Sequence, residues 1–271
     1  MYGGIEMSVI NGVGTLLETV VGPRVLEIRK SGELGTEHKV SFRDIKTKGD
    51  TESQRLIFAF LREHFPEHSI RGEEDEQATA HQGTSEYEYI IDPIDGTTNY
   101  ACGSPFFGIS VGVAKAGVPY AGVIHYPAMS ETIWAESGKG AFINGRPLVM
   151  RQYTGEKCEL LMAGDLLPGS EHLFAPLKEL AANVVMFACF TVTARFVAEG
   201  VFKLYVHTGA TPFDICAAIA IVREAGGVAV GIVSDELDLS RGQIPIILAC
   251  NRAIVEELRS RFANSARTVR V

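Results

Sequence analysis

Residues 107–145 set β-rich runs against tight-turn signals at short intervals, a spacing that fits an antiparallel meander and little else. The runs 107–114 and 120–125 are separated by Lys115-Ala116-Gly117-Val118-Pro119, a hairpin connection. Tyr126-Pro127-Ala128-Met129-Ser130 turns into a third run at 131–135. Ser137-Gly138-Lys139-Gly140 turns into a fourth at 141–143, and Asn144-Gly145 closes the series. At least four strands follow, with earlier helices available to cover one face.

Those helices are read from periodicity. Val13, Leu17, Val20, Val21, Val25 and Ile28 keep helical spacing over residues 7–28, with a kink or short break expected at Pro23. The polar stretch 30–49, which includes Asp44, predicts a mobile connection or a short hairpin. A second helix is expected over 50–65, ended by Pro66. A short strand at 68–71 then meets Gly72-Glu73-Glu74-Asp75-Glu76. Glu74, Asp75 and Glu76 read as a solvated acidic loop, whereas Glu73 sits behind a glycine at a strand end. Residues 78–85 read as loop.

Beyond the meander, from about Cys158, strand and helix alternate. Strands are expected at 159–163, 184–187, 201–206, 228–233 and 244–249, and helices at 171–182, 191–198 and 251–262. Thr211-Pro212 has the form of a cap followed by proline at the first helical position, and that helix runs to Ala225 before Gly226-Gly227. The division is therefore an α+β half over 1–150 and an α/β half over 151–271. The arginine-bearing tail with Arg267 and Arg270 is read as a solvated end.

With 46% hydrophobic and 21% charged residues the chain is globular in composition. No run approaches the ~18 apolar residues of a membrane span, and no leader pattern opens the sequence. The expectation is no membrane partner. A net charge of −8 argues against nucleic acid as a main partner. The cysteines, Cys102, Cys158, Cys189, Cys216 and Cys250, are scattered and odd in number, and are read as buried thiols in a cytoplasmic protein.

The chemistry concentrates where the apolar run Tyr87-Glu88-Tyr89-Ile90-Ile91 meets Asp92-Pro93-Ile94-Asp95-Gly96-Thr97-Thr98-Asn99. Two carboxylates leaving a strand ahead of Gly-Thr-Thr can hold a hard cation beside free backbone N–H groups, the makings of a phosphate site. The same residues are also common turn formers. Asp50, at the start of a helix, is open to reading as a cap.

Three stretches in order, Gly72-Glu73-Glu74, the octet Asp92 to Asn99, and Phe213-Asp214 opening a helix that closes in Glu224-Ala225-Gly226-Gly227, resemble the inositol monophosphatase family of Mg²⁺-dependent, lithium-sensitive phosphatases. The resemblance implies a five-layer α-β-α-β-α sandwich of the inositol monophosphatase/fructose-1,6-bisphosphatase type, as a homodimer. It also implies metal-dependent hydrolysis of a small phosphate monoester, inositol 1-phosphate or a near relative. One ion would be held by Glu73, Asp92 and the Ile94 carbonyl, and a second by Asp92, Asp95 and Asp214. Two or three Mg²⁺ per site are implied, with Mn²⁺ or Ca²⁺ able to substitute in binding. Thr97 and Asp50 would orient and deprotonate the attacking water, with Glu73 also in the catalytic set. Gly96, Thr97 and Thr98 would meet the phosphate. Lys39 lies where some members place a lysine near an additional metal, and is read in preference as a surface lysine.

The family's usual acidic contact for polyol hydroxyls falls at His207, its tryptophan at Phe213, and its small residues ahead of the 191–198 helix at Ala188-Cys189-Phe190. His207, Phe213 and Cys189 are accordingly the candidate substrate residues. Histidinol phosphate, fructose 1,6-bisphosphate and 3′-phosphonucleotides remain alternative substrates, and a regulatory binding protein that keeps the fold is the non-enzymatic alternative. His207 could equally be a satisfied histidine at a strand end.

Overall fold

The computed structural model describes residues 9–39, 45–74, 81–153, 161–166, 168, 170–181 and 183–268. Positions 7 and 182, which bound ranges given above, and Asp44, Asp75, Glu76, Cys158 and Arg270 lie outside them.

The chain opens with α1 (Val9–Leu16), a π-helical turn (Leu17–Val21) and α2 (Gly22–Ser31). Pro23 does not break the path. The Gly22 N–H reaches the Leu17 carbonyl, five residues back, and this widened turn absorbs the ring that would otherwise crowd the preceding turn. Leu17, Val21 and Val25 stay buried across it, while Val20 turns to solvent. The polar stretch is a two-residue-per-strand ladder, β1 (Glu37–His38) against β2 (Ile45–Lys46). Helix α3 (Lys48–His64) buries Asp50, Ser53, Gln54, Ile57, Phe58 and Leu61 on one face.

A seven-stranded sheet follows, in sequential order: β3 (Ser69–Gly72), β4 (Tyr87–Asp95), β5 (Gly108–Lys115), β6 (Val118–Tyr126), β7 (Glu131–Glu136), β8 (Gly140–Ile143) and β9 (Arg146–Leu148). Only the β3–β4 pair is parallel. Asn144-Gly145 does not end the meander. Both residues have positive φ, 46° and 73°, and form the tight turn into β9. The short α4 (Thr97–Ala101) links β4 to β5.

The second half contributes β10 (Leu161–Asp165), α5 (Phe174–Leu180) after a 3₁₀ turn, β11 (Asn183–Val185), α6 (Phe190–Ala198), β12 (Leu204–Ala210), α7 (Pro212–Glu224), β13 (Val228–Gly231), β14 (Ile244–Ala249) and α8 (Arg252–Thr268). Its five-stranded sheet has the order β11-β10-β12-β14-β13. The sheet is mixed: β10 is parallel to β11 and β12, but β14 is antiparallel to both its neighbours. Strand β12 also runs past the expected end at Val206 to Ala210.

Stacked in order, α1–α3, the seven-stranded sheet, α6 with α7, the five-stranded sheet, and α5 with α8 give the five-layer α-β-α-β-α sandwich. Helix α7 can lie close on β5 and β6 because Gly112 and Gly122 face it. A Cβ on Gly122 would stand 2.4 Å from the Ala217 Cα, and one on Gly112 2.6 Å from the Cys216 Cβ. Of the described cysteines, Cys189, Cys216 and Cys250 are buried as expected, but Cys102 is exposed. Among the described residues no helix is long and apolar enough to cross a membrane.

Candidate metal centre and active site

Strand β4 aims two of the acids. In a regular strand, residues three apart point to opposite faces. Here the ladder with β5 pairs Asp92 with Ser110 and Asp95 with Gly108, three residues against two, so a bulge at Pro93-Ile94 returns Asp95 to the side of Asp92. A bulge also tolerates the proline, which has no ladder donor to lose. Asp214 arrives from the first turn of α7, and ligand oxygens of Asp92, Asp95 and Asp214 lie within 4.8 Å of one another. Glu73, just after β3, is held by its own N–H on the Ile91 carbonyl, at 3.0 Å, and its carboxyl shares a hydrogen bond with that of Asp92.

Each acid is fixed from behind. Asp95 sits at the N-terminus of α6 and accepts from Phe190 N–H (3.2 Å), Thr191 N–H (2.5 Å), Thr191 Oγ1 (2.6 Å) and the Cys189 thiol (3.0 Å). Asp50 and Asp214 both take the third position of a helix capped by threonine. Asp50 Oδ2 accepts from Thr47 N–H (2.8 Å) and Thr47 Oγ1 (2.5 Å). Asp214 Oδ2 accepts from Thr211 N–H (2.6 Å) and Thr211 Oγ1 (2.8 Å). The other Asp50 oxygen lies 3.2 Å from Thr97 Oγ1, which is also 2.9 Å from the Ile94 carbonyl. Gly96 precedes Thr97 at φ 81°, the left-handed conformation that starts α4 at this spot. Thr98 is exposed beside it.

So many carboxyls in one buried place resist ionisation. Burial first, then repulsion from Glu73, Asp95, Asp214 and Asp50, pushes the Asp92 carboxyl well up. Burial pushes Asp214 up to about 7, helped by Asp95 and Glu73. Asp50 is likewise raised to about 7 by burial, against the pull of its Thr47 hydrogen bonds. Glu73 is raised by burial despite the opposing charge of Lys39. A divalent cation resolves this strain directly, because all-oxygen donors are what a hard cation prefers and its charge favours the ionised carboxylates. The donor set therefore fits such an ion.

Two expectations are corrected here. Lys39 is no free surface lysine: its ammonium pairs with Glu73 at 2.9 Å and Glu74 at 2.5 Å. Burial works against its charge, but the two glutamates outweigh it and hold the group above the ordinary lysine range. Glu74 does not belong to a solvated loop, being 3% exposed and paired also with Lys46 at 3.4 Å. The sequence reading also missed Ser53 and Gln54. Ser53 Oγ donates to the Pro93 carbonyl at 2.8 Å, and the Gln54 amide both donates to the Glu74 carbonyl and accepts its N–H. Their signal is the buried face of α3, on which polar residues stand one turn beyond Asp50.

The three candidate substrate residues differ in placement. Cys189 is 2% exposed with its thiol on Asp95, so it supports an acid and offers no open surface. Phe213 is buried, with the Arg71 guanidinium 5.5 Å over its ring. His207 lies inside β12 and not at its end, half-buried, 5.7 Å ring to ring from Phe190. Burial lowers its pKa to about 4, and its Nδ1 accepts from Gly209 N–H at 3.1 Å.

Comparison with known proteins shows which family the fold and sequence resemble. The family model described as the inositol monophosphatase family matches residues 5–266. A protein named fructose-1,6-bisphosphatase/inositol-1-monophosphatase from Thermotoga maritima is 34% identical over 192 residues, 70% of this chain and 73% of its own length. A putative Nus factor SuhB from Neisseria meningitidis is 29% identical over 85% of this chain and 90% of its own. The solved structure of a Thermotoga maritima IMPase superposes with a TM-score of 0.83 at 27% identity, over 96% of this chain and 98% of the other.

Proposed function

Because the chain belongs to the inositol monophosphatase family, we propose that it hydrolyses a small phosphate monoester of the inositol 1-phosphate type with the help of Mg²⁺. The observation that carries this is the convergence of Glu73, Asp92, Asp95 and Asp214 from three distant parts of the chain, with Thr97 and Asp50 alongside.

Glu73, Asp92 and the Ile94 carbonyl would hold one ion, and Asp92, Asp95 and Asp214 a second, with Asp92 common to both. When bound, such ions offset the charge of the phosphoryl group and lower the pKa of water. Thr97 Oγ1, 3.2 Å from Asp50 Oδ1, can accept a proton from the attacking water as it gives its own to Asp50. Burial strengthens the Asp50 carboxylate as a proton acceptor by disfavouring its charged form. The amides of Gly96, Thr97 and Thr98, where α4 starts, would receive phosphate oxygens.

Histidinol phosphate, fructose 1,6-bisphosphate and 3′-phosphonucleotides are the competing substrates, the second of them favoured by the name of the Thermotoga maritima relative. A panel of these three ester types and inositol 1-phosphate with Mg²⁺, repeated with lithium, tests the reading, with sedimentation to test for a homodimer. Expected are Mg²⁺-dependent release from at least one ester, inhibition by lithium, and loss of about 10²-fold or more in Asp95→Asn, where a metal ligand and transition-state charge stabilisation go together. A regulatory binding role is the second reading, favoured by the Nus-factor name of one relative. No release from any ester, with metal bound, would leave only that second reading.

A further inference from the structure

Ser110 stands on β5 directly opposite Asp92, and the pair is the last in register before the bulge that turns Asp95. Residues facing each other on antiparallel strands carry their Cβ atoms about 4.5–5.5 Å apart on the same side of the sheet. The neighbours of Ser110 show which side that is. Ile109 and Val111 turn into the core shared with α1–α3, whereas Gly108 and Gly112, two residues either way along the strand, face the middle helix layer. A Cβ on Gly108 would stand 2.7 Å from Thr191 Oγ1, and one on Gly112 2.6 Å from the Cys216 Cβ. Thr191 Oγ1 is itself 2.6 Å from Asp95 Oδ2, and Cys216 follows Asp214 on α7. Between these two contacts and opposite Asp92, the Ser110 side chain forms part of the floor of the acid centre.

Ser110 is fully buried, and its hydroxyl has no hydrogen-bond partner among the described residues. A buried hydroxyl left in that condition destabilises a fold, and native structures keep few of them. Asp92 has the matching spare capacity. Asp95 accepts four hydrogen bonds, and Asp50 and Asp214 each accept two from their capping threonines. Asp92 accepts one from Ile94 N–H, at 3.0 Å, and shares one with Glu73. An ionised carboxylate offers about four lone-pair sites. As the ligand common to two ions, Asp92 would spend two of them on cations and a third on Ile94 N–H, while Glu73, turned to a cation as well, no longer shares a proton with it. The fourth site faces a strand on which Ser110 carries the unused hydroxyl.

We propose that Ser110 is a positioning residue for the metal centre, its hydroxyl donating to the remaining site of Asp92 and holding that carboxylate in the orientation that serves two cations. The assignment rests on the reading above in which Asp92 is common to both ions. Without metal the hydroxyl is buried and unbonded, a burden on the fold. With metal it gains an ionised acceptor on the opposite strand, and a hydrogen bond to a charged acceptor is stronger than one to a neutral group. Removing the hydroxyl therefore acts in opposite directions on the two states.

The test is Ser110→Ala in the full chain, a smaller side chain that crowds neither Thr191 nor Cys216, measured in both states. In chelator the variant should melt at or above the wild-type temperature, by up to about 2–4 °C, because a partnerless buried hydroxyl has been taken away. Calorimetry should show Mg²⁺ bound about tenfold more weakly, the scale on which groups that orient a metal ligand act. A hydroxyl with a purely structural role would give the other pattern, a lower melting temperature in chelator, and that result overturns the assignment whatever happens to the affinity. Mg²⁺ bound equally well by wild type and variant overturns the role of Ser110 and leaves the two-ion reading standing. A wild-type chain that binds no Mg²⁺ overturns both.

Discussion

Asp50 and Asp214 occupy the same place in two helices far apart in the chain. In each, a threonine caps the helix and the aspartate three residues on reaches back to the threonine N–H. Capping and site chemistry are thus not rival readings of Asp50: one oxygen serves the cap and the other faces Thr97. Thr211-Pro212 was legible as a cap from local sequence. Thr47 was not, because Asp50, itself a favoured cap residue, drew the expected start of that helix.

The raised carboxyls make metal-free stability depend on pH. Asp50 and Asp214 sit at about 7 in the fold, against about 3.9 in an unfolded chain. Between those values the unfolded chain has released protons that the folded chain still holds. Their contribution is therefore complete below about pH 4 and is lost as pH rises through about 7. In chelator, the melting temperature should fall from pH 5 to pH 8, and Mg²⁺ should raise it more at pH 8 than at pH 6, because binding needs the ionised acids. A larger gain at pH 6 would contradict this account of the acid centre.

Thr191 is the residue with the least sequence signal for its importance. It gives Asp95 two hydrogen bonds and is fully buried. If Asp95 holds a metal as proposed, a group that orients it carries about 10–100-fold in affinity. Thr191→Val, which keeps the volume and the N–H, should weaken Mg²⁺ binding by about tenfold by calorimetry. Wild-type affinity in the variant would mean that the backbone donors alone hold Asp95.

At the scale of elements, the meander was readable because each strand ends in its own turn chemistry, and hairpins are local. The five-stranded sheet was not: the alternation of strand and helix suggests parallel pairing, whereas the placement of β14 between β12 and β13 is decided by contacts far apart in sequence, as in Leu204 against Ala249. The bulge at Pro93-Ile94 is legible only in part. The proline signals an irregular strand, but the register shift needs β5 opposite it.

Helix α7 brings Asp214 to the site by lying against glycine backbone. Gly122→Ala puts a methyl 2.4 Å from the Ala217 Cα and 2.7 Å from its carbonyl oxygen, both main-chain atoms that cannot rotate away. The helix must move, at a cost of about 1–3 kcal/mol by the usual scale of overpacking. The expected variant melts several degrees lower and binds Mg²⁺ more weakly, since Asp214 moves with the helix. An unchanged melting temperature would show that α7 has slack the close contact does not suggest.

For the whole molecule, the division at residue 150 seen in the sequence marks a change of strand pattern, and we infer that it is not a boundary between independent folding units. Helix α7 belongs to the second half but packs on β5, β6 and β7 of the first, and on β13 and β14 of its own. One continuous core joins Ile90, Ile124, Ile133 and Leu148 of the seven-stranded sheet to Ile219, Val222, Ile247 and Leu248. Residues 1–150 alone would present that sheet face to water, an apolar patch of a size that associates. The proposed metal ligands divide the same way, Glu73, Asp92 and Asp95 on one side and Asp214 on the other, so that set comes together only when both halves are folded. Denaturant unfolding should therefore be a single transition, with the fluorescence of Trp134, the chain's one tryptophan, and far-ultraviolet circular dichroism giving the same midpoint. Trp134 stands on β7 against Phe142, 4.3 Å ring to ring, and so reports the first half, while dichroism weighs the helices of both. Two separated midpoints, or a well-folded 1–150 fragment, would show that the halves are autonomous and that α7 docks on a sheet already formed.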